Sequence, residues 1–218
     1  MTFKDRADAG ARLAEALEQF RGRRVLVLGI PRGGVAVAYE VARHLQAELS
    51  ILVARKLPFP DNPEAGFGAV AEDGSRVISE TAPYELDEAD ITRIIREQEK
   101  EIQRRIKVLR GGEPLPEIKG RTVILVDDGL AMGSTMKAAV ALCRKRKAKK
   151  VIVAVPVAGE WAAREIAKLA DETIILSRPV PFFAVAQAYE RWYDVPDKEV
   201  LELLAKREAD PSAAAEGA

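Results

Sequence analysis

The sequence has little that would tie it to an oxidising compartment, a nucleic acid or a membrane. It contains one cysteine, Cys143, which excludes an intrachain disulfide and fits a reducing compartment. Lys and Arg together number 34, as do Asp and Glu, so the net charge gives no overall attraction to nucleic acid or acidic membranes. No apolar run approaches the roughly 18 residues of a membrane span, and the charged residues 1–17 lack the apolar stretch of a signal peptide. These absences predict a cytoplasmic protein without a nucleic-acid or membrane partner.

Two nucleotide-binding motifs are missing as well. The chain has neither a Walker loop nor a GxGxxG string, which argues against a nucleoside triphosphatase and a dinucleotide-binding enzyme. Its densest run of cations, RKRKAKK at residues 144–150, would permit nucleic-acid contact. However, the helix dipole also favours cations at a helix C-terminus, and no aromatic residues interleave with this run. A solvated helix end is therefore the favoured interpretation.

Short apolar runs alternate with segments of helical spacing along most of the chain. The runs of strand length lie at residues 24–30, 49–55, 122–128, 150–157 and 172–177. Helical spacing of apolar residues is found at 1–20, 35–45, 134–147 and 161–169. Continuous apolar strands separated by helices are typical of a sheet that is buried on both faces. The pattern predicts one α/β domain over residues 1–208, with a doubly wound, mainly parallel sheet, and a disordered tail at 209–218.

One interval, about residues 56–120, interrupts this alternation. Its first part is rich in Pro, Gly and Asp, which predicts a long mobile loop with a hairpin at 68–77. Its second part predicts a long amphipathic helix at 87–109, because apolar residues fall on one face: Ile91, Ile94, Ile95, Ile102, Ile106 and Leu109. Long insertions in compact domains are usually functional lids or disordered segments. We therefore expect a lid or hood here.

The segment VILVDDGLAMGST, residues 123–135, is the part best suited to chemistry. A buried strand ends there in Asp127 and Asp128, before a loop of small residues that opens a helix. Parallel sheets bind ligands at the carboxyl ends of their strands, and backbone N–H groups at a helix start bind anions. Acids before a glycine also occur in ordinary α/β loops, so the complete string matters. Carboxylates beside an anion site suit a sugar phosphate, because they can accept hydrogen bonds from its diol.

This segment is similar to the phosphoribosyl pyrophosphate motif of type I phosphoribosyltransferases, in which an apolar strand, an acid pair and two apolar residues precede a Thr-Gly-x-Ser/Thr loop. The resemblance implies the fold of that family, with Asp127 and Asp128 on the ribose 2′- and 3′-hydroxyls. It also implies a 5′-phosphate loop made of Ala131, Met132, Gly133, Ser134 and Thr135. The chain departs from the family at Met132, where Thr is usual, so one hydroxyl donor is lost. Purine salvage relatives often have a base-contacting acid at the position of Ala131.

A second family feature follows the first strand. GIPRGG, residues 29–34, resembles the pyrophosphate loop, and related enzymes often have a cis peptide where this chain has the Pro31–Arg32 bond. Cations at the expected end of the second strand match a third feature. Together the resemblance assigns these residues to pyrophosphate binding: Pro31, Arg32, Gly33, Arg55 and Lys56. The ordinary alternative for the loop is a simple chain reversal. The ordinary alternative for Arg55 and Lys56 is solvated charge at the end of a strand.

The resemblance implies transfer of a 5-phosphoribosyl group from phosphoribosyl pyrophosphate to an unidentified nucleophile, usually a base nitrogen, with release of pyrophosphate. Mg²⁺ is the implied cofactor, bound mainly through substrate oxygens, with Asp127 and Asp128 as the candidate protein ligands. A homodimer is usual among relatives. A regulator that binds the same ligand without turnover is the main alternative, and Met132 favours it. A third interpretation is a hydrolase or phosphatase built on the same fold, but no metal cluster or nucleophile in the sequence supports it.

Aromatic residues gather near the C-terminus. They are Phe182, Phe183, Tyr189, Trp192 and Tyr193. Such a group could form a hood that stacks on a base, or could pack the last helix against the sheet, and the sequence leaves both open.

Overall fold

The structure, a computed structural model, describes residues 1–210, apart from the side chains of Glu64 and Pro83. From residue 211 onward, the tail expected at 209–218 lies outside the described residues. The strands are β1 (Val25–Gly29), β2 (Glu48–Ile51), β3 (Ala54–Phe59), β4 (Asn62–Ala71), β5 (Arg76–Ile78), β6 (Thr122–Val126), β7 (Lys150–Val157) and β8 (Glu172–Ser177). The α-helices are α1 (Arg6–Ala16), α2 (Gly33–Leu45), α3 (Ala82–Glu85), α4 (Glu88–Arg110), α5 (Ser134–Lys145), α6 (Glu160–Ala167) and α7 (Asp197–Glu208). Among these helices, none is both long and apolar enough to cross a membrane.

Five strands form a central sheet in the order β2-β1-β6-β7-β8. Every neighbouring pair in it is parallel. β1 is buried along its whole length, and β6 is buried from Val123 to Val126. Such continuous burial is expected of strands that have other elements on both faces. The mainly parallel α/β sheet predicted from the sequence is confirmed.

Helices cover both faces of this sheet. On one face, Leu13 of α1 and Val41 of α2 belong to the same apolar core as Val27 of β1. On the other face, Cys143 of α5 and Val153 of β7 belong to a second core, which α6 completes. The doubly wound arrangement leaves the carboxyl ends of the strands as the edge where the following loops meet.

The second apolar run does not form a single strand, contrary to the prediction. β2 ends at Ile51, and after two buried residues the chain enters β3. Arg55 and Lys56 therefore lie within β3 instead of at the end of a central strand. β3, β4 and β5 form a separate antiparallel sheet. The segment expected to be a mobile loop is thus largely strand, although the predicted hairpin is present, with Gly68 paired to Ile78.

Packing explains why composition misled the loop prediction. A Cβ on Gly68 would lie 2.3 Å from the carbonyl oxygen of Val77, so glycine is what allows β4 and β5 to pair closely. The register shifts on either side of Pro58, a residue that cannot donate a backbone hydrogen bond. Leu57 and Phe67 are buried in a third apolar core. Glycine and proline here serve strand geometry, although in the sequence they are typical of loops.

The long helix predicted at 87–109 is confirmed as α4. Asp87 caps its start by accepting a hydrogen bond from the Asp90 amide at 2.7 Å, and Gly111 ends it in a left-handed conformation. Its isoleucine face packs on the antiparallel sheet. At its end, Arg110 Nη1 donates to the carbonyl oxygen of Ile51 at 3.0 Å, which joins α4 to the central sheet. That residues 56–120 act as a lid stays a prediction.

Candidate functional site

The acid pair and the glycine loop form one site. Asp127 and Asp128 directly follow β6, beside the start of α2 after β1. A Cβ on Gly33 would lie 1.9 Å from Asp128 Oδ2, and a Cβ on Gly34 would lie 2.8 Å from Asp127 Cα. Because these approaches are too close for any side chain, both glycines are required for the contact. The central sheet thus brings the glycine loop, assigned to pyrophosphate, against the acid pair assigned to ribose.

Burial governs the protonation of both acids. It raises the pKa of Asp127 well above its ordinary value, and the neighbouring Asp128 carboxylate raises it further. The Asp128 amide opposes this by donating to Asp127 Oδ1 at 2.9 Å. Burial also raises the pKa of Asp128, and the adjacent Arg6 guanidinium acts in the opposite direction. A ligand that brings positive charge or hydroxyl donors would therefore favour ionisation of this pair.

Arg6 is a site residue that the sequence analysis missed. Its Nε donates to Asp128 Oδ2 at 2.8 Å, and its side chain is only 5% exposed. The available signal was weak: on α1, Arg6 shares a buried helical face with Ala9 and Leu13. A cation on an apolar face indicates a buried partner, but nothing in the spacing identifies that partner as Asp128.

The aromatic residues divide between packing and surface. The Tyr189 hydroxyl donates to the carbonyl oxygen of Asp128 at 2.6 Å, and burial raises the pKa of Tyr189. Trp192 lies 5.3 Å from the Tyr189 ring and 4.0 Å from the Arg6 guanidinium carbon. Phe183, in contrast, is exposed. Part of this aromatic group therefore packs against the acid pair and supports it directly.

The loop assigned to the 5′-phosphate opens α5. Gly133 adopts φ 73°, a left-handed conformation that favours glycine, and α5 begins at Ser134. Its first-turn N–H groups and the helix dipole make this position suitable for an anion. Met132 is 64% exposed. A cavity of about 330 Å³ lies beside the loop and is lined by residues that include Ala131, Met132, Trp161, Val180 and Phe182.

The glycine loop has the expected backbone, since the Pro31–Arg32 peptide is cis. Arg32 Nη1 lies 3.7 Å from Asp197 Oδ1 at the start of α7. On β3, Arg55 Nε donates to Gln98 Oε1 of α4 at 3.1 Å. Burial lowers the pKa of Arg55, and the positive charges of Arg105, Arg104 and Arg32 lower it further. Arg32 and Arg55 thus belong to one cationic neighbourhood, although Arg55 reaches it from the antiparallel sheet.

The family model for the phosphoribosyl transferase domain matches residues 3–191. The chain belongs to this family. The match spans every element of the central sheet and both loops of the candidate site. Type I phosphoribosyltransferase is therefore the fold of this chain, as the motif resemblance implied.

Named relatives and a solved structure agree with this assignment. The chain is 44% identical over 210 residues to "Putative phosphoribosyl transferase MT0597" and to "Putative phosphoribosyl transferase Rv0571c", both from Mycobacterium tuberculosis. These alignments cover 95% of this chain and 47% of each relative, so the chain spans about half the length of the curated relatives it matches. The crystal structure of TT1426 from Thermus thermophilus is 40% identical, with a TM-score of 0.80, and the match covers 94% of this chain and 99% of that one.

Phosphoribosyltransferases generally use Mg²⁺ with phosphoribosyl pyrophosphate. Within residues 1–210, no group of three or more His, Cys, Asp or Glu side chains could hold a metal. The adjacent carboxylates of Asp127 and Asp128 nevertheless supply the oxygen donors that Mg²⁺ prefers. A magnesium ion that takes its remaining oxygens from the ligand and from water fits this donor set.

Proposed function

We propose that this phosphoribosyltransferase moves a 5-phosphoribosyl group from phosphoribosyl pyrophosphate to a nitrogenous base and releases pyrophosphate. One observation carries the proposal: the partly buried acid pair lies between two loops that each open a helix at the same sheet edge. Gly33 and Gly34 contact it on one side, and the loop that opens α5 follows it on the other. Phosphoribosyl pyrophosphate has the same order, with negatively charged groups at both ends of its ribose and hydroxyls between them.

Each part of the ligand has an assigned contact. Asp127 and Asp128 would accept hydrogen bonds from the ribose hydroxyls. The 5′-phosphate would bind to the backbone amides and hydroxyls of the loop Ala131, Met132, Gly133, Ser134 and Thr135. Pyrophosphate would meet Pro31, Arg32 and Gly33 in the glycine loop, together with Arg55 and Lys56 of β3. The positive charge near Arg55 supports the last assignment.

The reaction breaks the bond between ribose C1 and a pyrophosphate oxygen and forms a bond from C1 to a base nitrogen. Negative charge develops on the departing pyrophosphate, where the loop amides and Arg32 would stabilise it. Asp127 and Asp128 would help to hold Mg²⁺, and the ion would supply further charge neutralisation. The loop between Gly129 and Thr135 contains no acid or histidine. The chain therefore contributes mainly position and electrostatics at this point.

A ligand-binding regulator without turnover is the second candidate function. Two features of the phosphate loop favour it. Met132 brings no hydroxyl to the phosphate, and Ala131 brings no acid to a base. Both residues line the cavity next to the loop.

Two measurements test the proposal and separate its alternatives. Calorimetry with phosphoribosyl pyrophosphate and Mg²⁺ should show saturable binding, and Asp128→Asn should weaken it. Glu165→Gln on α6 is the matched control, because Glu165 contacts Lys137 and Lys168 and neither acid. Unchanged affinity in Asp128→Asn would remove the ribose assignment. Pyrophosphate release during a screen of free bases would identify the enzyme, whereas binding without release for every base would favour the regulator.

The homodimer and the cytoplasmic location are also proposals. The dimer is supported only by its frequency among relatives, and light scattering on the purified chain measures it directly. A monomer at micromolar concentration would remove the dimer from the proposal without affecting the ligand site.

A further inference from the structure

Arg6 makes an unusual set of contacts for a residue outside the two ligand loops. Its guanidinium donates from Nε to Asp128 Oδ2 at 2.8 Å and from Nη1 to the Tyr193 carbonyl oxygen at 2.9 Å. The Trp192 ring centroid lies 4.0 Å from the guanidinium carbon. A Cβ on Gly33 would lie 3.0 Å from Arg6 Nε. Three separate parts of the chain therefore surround this one side chain.

We infer that Arg6 is a positioning residue that holds the Asp128 carboxylate in the orientation needed to select a ribose diol. The inference rests on the proposed function, because it assigns Asp128 to the ribose hydroxyls. Arg6 acts through Asp128 and requires no contact with the ligand.

The burial of the Arg6 side chain supports a dedicated role for this residue in the site. Arg6 is almost completely buried, with only 5% of its side chain exposed. Burying a guanidinium is unfavourable unless charged and polar partners replace water. Arg6 finds these partners at the acid pair and at the Tyr193 carbonyl. The α1 helix thus places a buried cation next to a pair of carboxylates.

The geometry of the contact is better suited to orienting the Asp128 carboxylate than to occupying both of its oxygens. Arginine can bind both oxygens of a carboxylate at once, but Arg6 contacts Asp128 through Nε and Oδ2 and directs Nη1 to a backbone carbonyl. The second oxygen, Oδ1, is not used by Arg6, and the Asp128 side chain keeps 14% of its exposure. Arg6 therefore fixes one carboxylate oxygen of Asp128 and makes no hydrogen bond to the other.

The backbone of Asp128 is fixed by the same aromatic segment. Tyr189 donates to the Asp128 carbonyl oxygen at 2.6 Å, while Tyr193 accepts from Arg6. Residues 189–193 therefore hold Asp128 twice, once through its main chain and once through Arg6. Loosening Arg6 should change how Asp128 meets a diol without changing the phosphate loop.

The test compares two ligands in calorimetry. Ribose 5-phosphate has both hydroxyls, whereas 2,3-dideoxyribose 5-phosphate keeps the ring and the phosphate and lacks them. The wild-type protein should prefer ribose 5-phosphate. In Arg6→Gln, we expect the affinity for ribose 5-phosphate to fall roughly tenfold, the loss typical of a weakened charge-assisted contact. Affinity for the dideoxy sugar should stay nearly constant, a selectivity that a general loss of structure would not produce.

Controls and further variants keep the test decisive. Arg12→Gln lies on the same helix but removes a partly exposed pair with Asp8, so it should leave the preference unchanged. Arg6→Lys keeps the positive charge but lacks the fixed fork of donors of arginine, and should lose less than Arg6→Gln. Trp192→Leu should give an intermediate loss. Thermal unfolding would identify any variant that does not fold, and Arg6→Lys replaces Arg6→Gln in that event.

The outcomes separate this inference from the proposed function. If the wild type shows no preference between the sugars, the ribose assignment fails and takes the inference with it. If the wild type prefers ribose 5-phosphate and Arg6→Gln keeps the same preference, the inference alone is wrong. Tighter binding of ribose 5-phosphate by Arg6→Gln would also overturn it, because Arg6 would then compete with the sugar for Asp128.

Discussion

Replacement of Tyr189 by phenylalanine removes a single buried donor from the candidate site. The Tyr189 side chain is enclosed, with the residue 6% exposed, and its ring lies 5.7 Å from Phe3 and 5.3 Å from Trp192. Phenylalanine keeps the ring and its packing, so the variant isolates the hydroxyl that donates to Asp128. A buried carbonyl that loses its donor costs about 1–3 kcal/mol. We expect the free energy of unfolding of Tyr189→Phe to fall by that amount.

The chain offers a matched control in Tyr193→Phe. The Tyr193 hydroxyl donates to Glu199 Oε1 at 2.8 Å, but the residue is 48% exposed, so water can replace this bond. Its loss should cost no more than about 0.5 kcal/mol. Urea unfolding, followed by fluorescence of Trp161 and Trp192, measures both changes. For a chain of this size the buried variant should also lower Tm by about 2–4 °C per kcal/mol. Equal destabilisation by the two substitutions would refute the reasoning.

Three further predictions concern the ligand loops and the cysteine. Gly33→Ala should abolish ribose 5-phosphate binding, since the new Cβ would lie 1.9 Å from Asp128 Oδ2; calorimetry that showed normal affinity would contradict the site geometry. Met132→Thr should bind phosphoribosyl pyrophosphate more tightly by roughly 1.5–3 kcal/mol, the value of a hydrogen bond to a charged group, and weaker binding would show that the loop is misaligned with the family. Cys143 is buried, which raises its thiol pKa to about 12, so it should resist thiol reagents until the protein unfolds. Rapid labelling of the native protein would contradict its place in the core.

The central sheet was predictable because its inner strands β1, β6 and β7 are short apolar runs whose residues face core on both sides. The acid pair was predictable for a related reason. A strand that ends in Asp127 and Asp128 before a helix start has to present them at the sheet edge, wherever the other strands lie. Local sequence is sufficient in both cases, because the physical cause lies within the same few residues.

The antiparallel sheet and Arg6 were not predictable in this way. Gly68 is needed for close strand pairing, but in a sequence the same glycine is typical of a turn. Arg55 was placed at the end of a central strand, because an apolar run does not reveal that the chain leaves one sheet at Ile51 and enters another at Ala54. Arg6 depends on a partner 122 positions away, and such a pairing exists only after the sheet has assembled.

The contacts of Arg6 also have a consequence for synthesis of the chain. Arg6 and Tyr193 are joined although they are 187 positions apart. A growing polypeptide can build β1 and β6 early, but its acid pair lacks the Arg6–Tyr193 support until Tyr193 has left the ribosome. Contacts of such long sequence separation form late, because the intervening chain must be ordered first. A ligand held by the acid pair should therefore stabilise the finished domain more than the nascent one.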